Sequence, residues 1–256
     1  MVKEDAFERV MRTGVLRCGF VDYNPTNIVD PKTGAQSGIL YDVAEEMAVM
    51  LGLKVEWIAS EGWAAFVTDL AHGRFDAFCG AGFGLPQELK ETELIGPIYY
   101  SPIFAWVRHD DARFDQGLQV LNSAEFTIAE TDGSVSGIIA REDFPLAKIV
   151  SLPQTAPYTS MLLNVESKKA DVAFVENFSA YGYIAHNTQV LKRVETPEPV
   201  RIYTNVFSVK KGEFALQSML QRTLENMHMT GKVKAILAKY AEKPDTFWPV
   251  AEPYKR

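Results

Sequence analysis

The sequence predicts an α/β protein made of two related lobes, and three observations carry that prediction. Short apolar runs alternate with stretches of helical spacing in the order β-α-β-α-β. That order occurs twice, and "HGRFDAFCG" (72–80) is echoed by "SKKADVAFVE" (167–176): helix end, short basic turn, acidic residue, apolar strand. Extended apolar segments follow each repeat, "PIYYSPIFAWVRHDDARFD" (97–115) and "TPEPVRIYTNVFSVKKGE" (196–213), so the chain leaves the first lobe and later returns to it. Its 256 residues suffice for two lobes of ordinary domain size.

Each element has its own local reason. "VLRCGFV" (15–21) is a short apolar run suited to a buried parallel strand. In 38–52, Leu40, Val43, Met47 and Met50 make one helical stripe, Asp42, Glu45 and Glu46 fall in the first half, and Gly52 closes the segment. Strand 53–58, helix 63–73 stopped by Gly73, and strand 75–80 complete the first repeat. Gly80, Gly82 and Gly84 come next, and "FGLPQELKE" (83–91) reads as a helix start. The second repeat is strand 126–130, helix 134–143, strand 147–152, helix 158–170, strand 171–176 and helix 177–187. Two amphipathic helices, 213–231 and 232–243, have no strands of their own and need an existing sheet to cover. The expected partition is 1–107 in lobe one, 108–202 in lobe two and 203–256 back in lobe one, with two hinge crossings and a crevice between the lobes.

Composition excludes several classes. Net charge is −7 and no basic run is interleaved with aromatics, which argues against nucleic acid as partner. No apolar stretch approaches the roughly 20 residues of a membrane span. "MVKEDAFERVMRTG" has no apolar leader region, so the protein is either cytoplasmic or a secreted chain whose leader has been removed. The two cysteines, Cys18 and Cys79, show no metal-ligand spacing. They are expected as buried thiols, with a disulfide open to them only if their strands prove adjacent. The four histidines are scattered and no G-x-S-x-G occurs, so neither a catalytic set nor a metal or cofactor site is expected.

What remains are strand ends, where open parallel sheets bind ligands. Gly80, Gly82 and Gly84, with Ala81 between the first two, form a G-x-G-x-G run unlike a dinucleotide fingerprint, and read as either a tight turn or one wall of a ligand site. "VDYNPTN" (21–27) and "ASEGWAAF" (59–66) follow the first two strands, and Trp63 suits stacking or cation–π contact. In "ETDGSVSG" (130–137), backbone N–H groups at Ser134, Val135 and Ser136 are expected to point outward and hold a carboxylate or other anion, unless Ser134 serves only as an N-cap. Glu176 either meets a ligand or caps the next helix.

Taken together, the segment from "GVLRCGFVDYNPTN" through "AHGRFDAFCGAG", "TIAETDGSVSG" and "KKADVAFVE" to "LQRTLENMHMTGKVKAILAKY" resembles the extracellular solute-binding proteins of the amino-acid type that serve ABC importers. The resemblance covers nearly the whole chain. It implies a type II periplasmic binding protein fold: two Rossmann-like lobes joined by two hinge crossings and closing on a small solute. It also implies a periplasmic or extracellular location after leader removal, a membrane permease as partner, and a monomer without enzymatic activity. Carried over by position, the ligand residues are Asp22, Tyr23, Trp63, Gly80, Ala81, Gly82 and Phe83 in lobe one, and Gly133, Ser134, Val135 and Glu176 in lobe two. One position departs. Where amino-acid binders carry an arginine that clamps the α-carboxylate, this chain has Glu88, and no arginine lies between Arg74 and Arg108. With Glu88 and Glu176 facing the solute, the site suits a cation such as an amine, a polyamine-like molecule or a quaternary ammonium compound; the other reading puts Glu88 on the solvent side of its helix. Two further functions share the fold: a sensory module, against which the chain end "EPYKR" speaks, and a cyclohexadienyl dehydratase, against which Ser179 stands where such enzymes carry a glutamate.

Overall fold

The computed structural model describes residues 4–63, 65–187, 190–241, 243 and 245–251. The chain forms two compact units, Met1–Tyr100 with Thr204–Arg256, and Ser101–Tyr203.

Unit 1 opens with helix α1 (Ala6–Thr13), which the sequence reading did not anticipate. A reciprocal capping box between Asp5 and Glu8 starts it, and Gly14, left-handed at φ 69°, ends it. Strand β1 (Val15–Phe20) follows, then a small hairpin of β2 (Ile28–Val29) and β3 (Gln36–Ser37), also unanticipated. Helix α2 (Ile39–Leu51) begins at Gly38, whose φ of 121° and tight packing on the Thr26 carbonyl leave no room for a Cβ. Leu40, Val43 and Met47 are buried as their spacing requires, whereas Met50, in the last turn, is exposed. Strand β4 (Lys54–Ala59), helix α3 (Ala65–His72) and strand β5 (Ala77–Gly82) complete the first repeat. The helix expected over 63–73 is thus shorter at both ends, and Ala64 lies outside the described residues. Strand β1 is central, parallel to β4 on one side and β5 on the other. The long strand β6 (Thr92–Arg108) then leaves unit 1.

Unit 2 repeats the scheme with β7 (Thr127–Thr131), α4 (Val135–Asp143), β8 (Lys148–Leu152), α5 (Thr159–Glu166), β9 (Val172–Glu176), α6 (Asn177–His186) and β10 (Leu191–Arg193). Here β7 is central, parallel to β8 and β9, and β9 is antiparallel to β6 from Ile103 to Val107. A core of Phe104, Trp106, Leu162, Val165 and Val175 packs between sheet and helices. Strand β11 (Arg201–Lys210) returns to unit 1 and pairs antiparallel with β5. Helices α7 (Phe214–Met229) and α8 (Lys232–Tyr240) pack against α2, and β12 (Trp248–Pro249) pairs with β6 at Tyr99 and Tyr100. Glu242, in the expected final helix, lies outside the described residues.

Two local expectations change. Cys18 and Cys79 are joined in a disulfide, not free: their strands are neighbours and their Cα atoms lie 5.4 Å apart, within bridging range. Gly80 and Gly82 belong to β5 itself, not to a turn. The Phe78 ring occupies the space a Cβ at Gly80 would need, and the Val206 carbonyl oxygen of β11 lies 3.2 Å from a Cβ at Gly82. No helix follows; 86–91 is a run of turns set off by Gly84 at φ 62°.

Candidate functional site

Each unit carries its own set of residues at the carboxyl ends of its parallel strands. In unit 1 the loop after β1 is a compact turn. The Tyr23 carbonyl accepts from Thr26 N at 2.7 Å and Asn27 N at 3.0 Å, and Tyr23 N donates to the Asn27 carbonyl at 2.7 Å. Gly38 presses on this turn from behind, and Asn27 Nδ2 ties it to the Cys79 carbonyl at 3.4 Å. The half-buried Tyr23 and Trp63 rings therefore meet edge to face, 5.6 Å between centroids, and Trp63 meets Phe78 in the same way at 6.5 Å. Phe66 stacks on Phe78 at 4.3 Å and braces that ring from the core side. Trp63 precedes α3 and is held between the edges of Tyr23 and Phe78, and the Phe78 ring in turn lies against Gly80.

Two unit 1 residues are differently placed from the sequence reading. Asp22 is exposed, and its Oδ1 accepts from Val29 N at 3.3 Å, so it braces the β2–β3 hairpin. Glu88 lies on no helix. Its Oε2 accepts from Leu85 N at 3.0 Å, and burial raises its carboxyl above the usual range, with that hydrogen bond pulling the other way. It is a half-buried carboxylate closing its own turn, not a solvent-facing helix residue. Phe83 is half-buried and its carbonyl accepts from Thr204 Oγ1 at 3.4 Å.

In unit 2 the β7–α4 junction turns through Gly133 at φ 79°, a position with open space around it. Ser134 occupies the N-cap position without a side-chain cap bond, and its Oγ is buried without a hydrogen-bond partner. Its N–H is not free as expected, since it donates to the Thr131 carbonyl at 2.8 Å. Val135 and Ser136 are the first two helical residues, whose N–H groups have no acceptor within the helix. The neighbouring Thr131 hydroxyl is also buried and unpartnered, a feature the sequence reading missed. Ser136 is structural: its Oγ donates to the Ala129 carbonyl at 2.7 Å and accepts from Phe174 N at 3.3 Å.

Glu176 ends β9 at 2% exposure. It holds the N-cap position of α6, yet its side chain makes no cap bond, so capping does not explain it. Tyr158 and Tyr203 belong to the same neighbourhood. Burial raises the Tyr158 hydroxyl well above its usual range, the Glu176 charge raises it further, and Tyr203 adds to the effect. Neither tyrosine was singled out from sequence, because an aromatic at a helix start or in an extended run looks like ordinary core. Among the described residues no group of His, Cys, Asp and Glu is arranged to hold a metal.

With this geometry in place, comparison with known proteins is decisive at the family level. The family model described as bacterial extracellular solute-binding proteins, family 3, matches residues 16–243. The chain belongs to that family. Its fold is that of the type II periplasmic binding proteins, and its function is solute binding. Among curated proteins none matches. Among solved structures, an ancestral amino acid-binding protein, a precursor of cyclohexadienyl dehydratase, is 24% identical with a TM-score of 0.79, over 93% of this chain and 99% of that one. A mutant of ArgBP from T. maritima is 19% identical with a TM-score of 0.77, over 93% and 100%. An amino acid ABC transporter substrate-binding protein from Streptococcus pneumoniae, bound to L-arginine, is 20% identical with a TM-score of 0.75, over 96% and 100%. At these identities the similarity establishes the shared fold.

Proposed function

We propose that this protein is the capture component of an ABC importer and binds a small solute carrying an ammonium or related cationic group. The observation that carries this reading is Glu176: a carboxylate at 2% exposure, at a strand end, not used to cap the helix it precedes. A buried carboxylate at a strand end attracts a cationic solute group strongly, because low-dielectric surroundings screen the charge little and charge-assisted hydrogen bonds are the strong ones. Tyr23 and Trp63 provide aromatic surface of the kind cations favour, and the half-buried Glu88 is an acid where the resemblance leads one to expect an arginine. The residues assigned to binding are Tyr23, Trp63, Gly80, Ala81, Gly82, Phe83 and Glu88 in unit 1, and in unit 2 Gly133, Ser134, Val135 and Glu176, with Tyr158 and Tyr203 of the same unit near Glu176. Asp22 acts one step back, by holding the hairpin behind Tyr23.

Solute contacts stabilise the bound conformation, whose population a permease then reads; no covalent step is involved. The Cys18–Cys79 disulfide supports an extracytoplasmic location, since such bonds persist in oxidising compartments. Among the described residues no helix is long and apolar enough to cross a membrane.

Calorimetric titration of the purified chain against L-arginine, L-lysine, their decarboxylated amines, choline and neutral amino acids tests this reading. Cations are expected to bind, and Glu176→Gln to weaken them about tenfold or more. Tight binding of neutral amino acids alone, indifferent to Glu88→Gln and Glu176→Gln, would sink it. A phenylpyruvate assay with prephenate checks the dehydratase alternative, and no turnover is expected.

A further inference from the structure

Glu130 stands next to last in β7, and its side chain is turned against α4. It is 3% exposed, and its Oε2 fills the place where any side chain at Gly137 would begin. Arg141, one turn further along α4, reaches back to it: Nη1 donates to Oε1 at 3.2 Å, and Nη2 lies 3.1 Å from Oε2 without a well-directed hydrogen bond. Gly137 is the third residue of α4, so this carboxylate lies against the first helical turn. That is the end at which aligned peptide dipoles attract negative charge, and where Ser134 and Thr131 hold buried hydroxyls without partners. The chain has therefore placed an anion of its own beside the group most suited to receive a solute carboxylate. The two charges of the pair are unequally screened. Arg141 is 52% exposed at its side chain against 4% for Glu130, so water attenuates the guanidinium more than the carboxylate.

We propose that Glu130 is a specificity-determining residue that biases the α4 end against carboxylate-bearing solutes, so that the preferred solute is an organic cation lacking a carboxylate there. The inference rests on the cationic-solute reading and narrows it. Nothing else in the junction requires an acid at this position: the Ser136 hydroxyl already fastens α4 to β7 and β9. An acid here also obliges residue 137 to be glycine within a helix, an arrangement that lowers helix stability.

Two matched probe pairs isolate the effect, L-arginine with agmatine and L-lysine with cadaverine, because each pair differs only by the carboxylate. The wild-type chain is expected to prefer the amine of each pair. Glu130→Gln should shift the affinity ratio toward the amino acid by about tenfold, and Arg141→Gln should shift it the opposite way. Opposite signs from the two variants are something a merely structural ion pair would not produce. Ratios unmoved in both, with only melting temperatures lowered, would overturn the role of Glu130 while leaving cation binding intact. If Glu130→Gln does not fold, Arg141→Gln decides alone: a stronger preference for agmatine supports the proposal, and an unchanged or weaker one overturns it. Failure of the wild-type chain to bind any of the four probes would instead remove the cationic-solute reading, and this inference with it.

Discussion

Asp76 of unit 1 and Asp171 of unit 2 occupy the same place in two copies of one design, yet the copies are secured differently. Each aspartate stands just before the strand that flanks the central one. Asp76 N donates to the Arg17 carbonyl at 2.9 Å and its Oδ2 accepts from Arg17 N at 2.8 Å; Asp171 N donates to the Thr127 carbonyl at 2.7 Å and its Oδ2 accepts from Thr127 N at 2.9 Å. Each also collects two guanidinium groups, Arg9 and Arg17 in unit 1, Arg108 and Arg113 in unit 2. The difference lies in depth and in reinforcement. The Asp76 side chain is 1% exposed and that of Asp171 17%, and only unit 1 adds a covalent tie, Cys18–Cys79, between the same two strands. A repeated fold thus keeps its charged knot at strand entry, while the rest of each lobe is free to diverge.

This comparison can be broken or sharpened by measurement. The largest effect is expected from opening the disulfide. It closes a loop of sequence separation 61, for which chain-entropy reasoning gives about 4 kcal/mol. Cys18→Ala with Cys79→Ala should lower the unfolding free energy from denaturant titration by that much, and a change below about 1 kcal/mol would mean the tie is redundant with the Asp76 knot. Next comes Asp76→Ala, which strands two guanidinium groups at a buried site and should destabilise by about 3 kcal/mol. Asp171→Ala should be milder, about 1–2 kcal/mol, because Arg113 is half exposed and can turn to water. Equal losses would show that depth does not set the difference.

A smaller effect concerns Glu88, and its sign follows from burial. A carboxyl whose folded pKa is raised disfavours the folded state once it ionises, so stability falls as pH rises from the ordinary carboxylate range through the raised value. Glu88→Gln should therefore raise the melting temperature at neutral pH, and the gain should vanish in acid. Thermal scans across pH check this, and a gain that persists in acid would assign it to packing instead.

Much of the architecture was legible in the chain. The two β-α-β-α-β runs appear in the expected order, although the helices expected at 63–73 and 158–170 are shorter, at Ala65–His72 and Thr159–Glu166, because strand and helix periods are local properties while helix ends are not. Glu176 and the Ser134 junction were legible for the same reason, as polar residues at ends of apolar runs. The segment 83–91 misled because proline and acids after glycines look like a helix start, whereas the run is short and no apolar stripe anchors it. Helix α1 was missed although Asp5 and Glu8 have capping-box spacing, since its single buried residue, Val10, makes hardly any stripe. Tyr158, Tyr203 and Glu130 had no local mark. Each matters through a neighbour distant in sequence.

By itself, then, the chain determined most of its elements and their repeated order, since hydrophobic period and turn chemistry act over a few residues. Tertiary structure decided which distant atoms meet: that Cys18 reaches Cys79, that the Phe78 ring fills the space beside Gly80 while the Val206 carbonyl crowds Gly82, and that Gly137 makes room for the Glu130 carboxylate. Those outcomes depend on strand adjacency and packing distance, which no local pattern encodes.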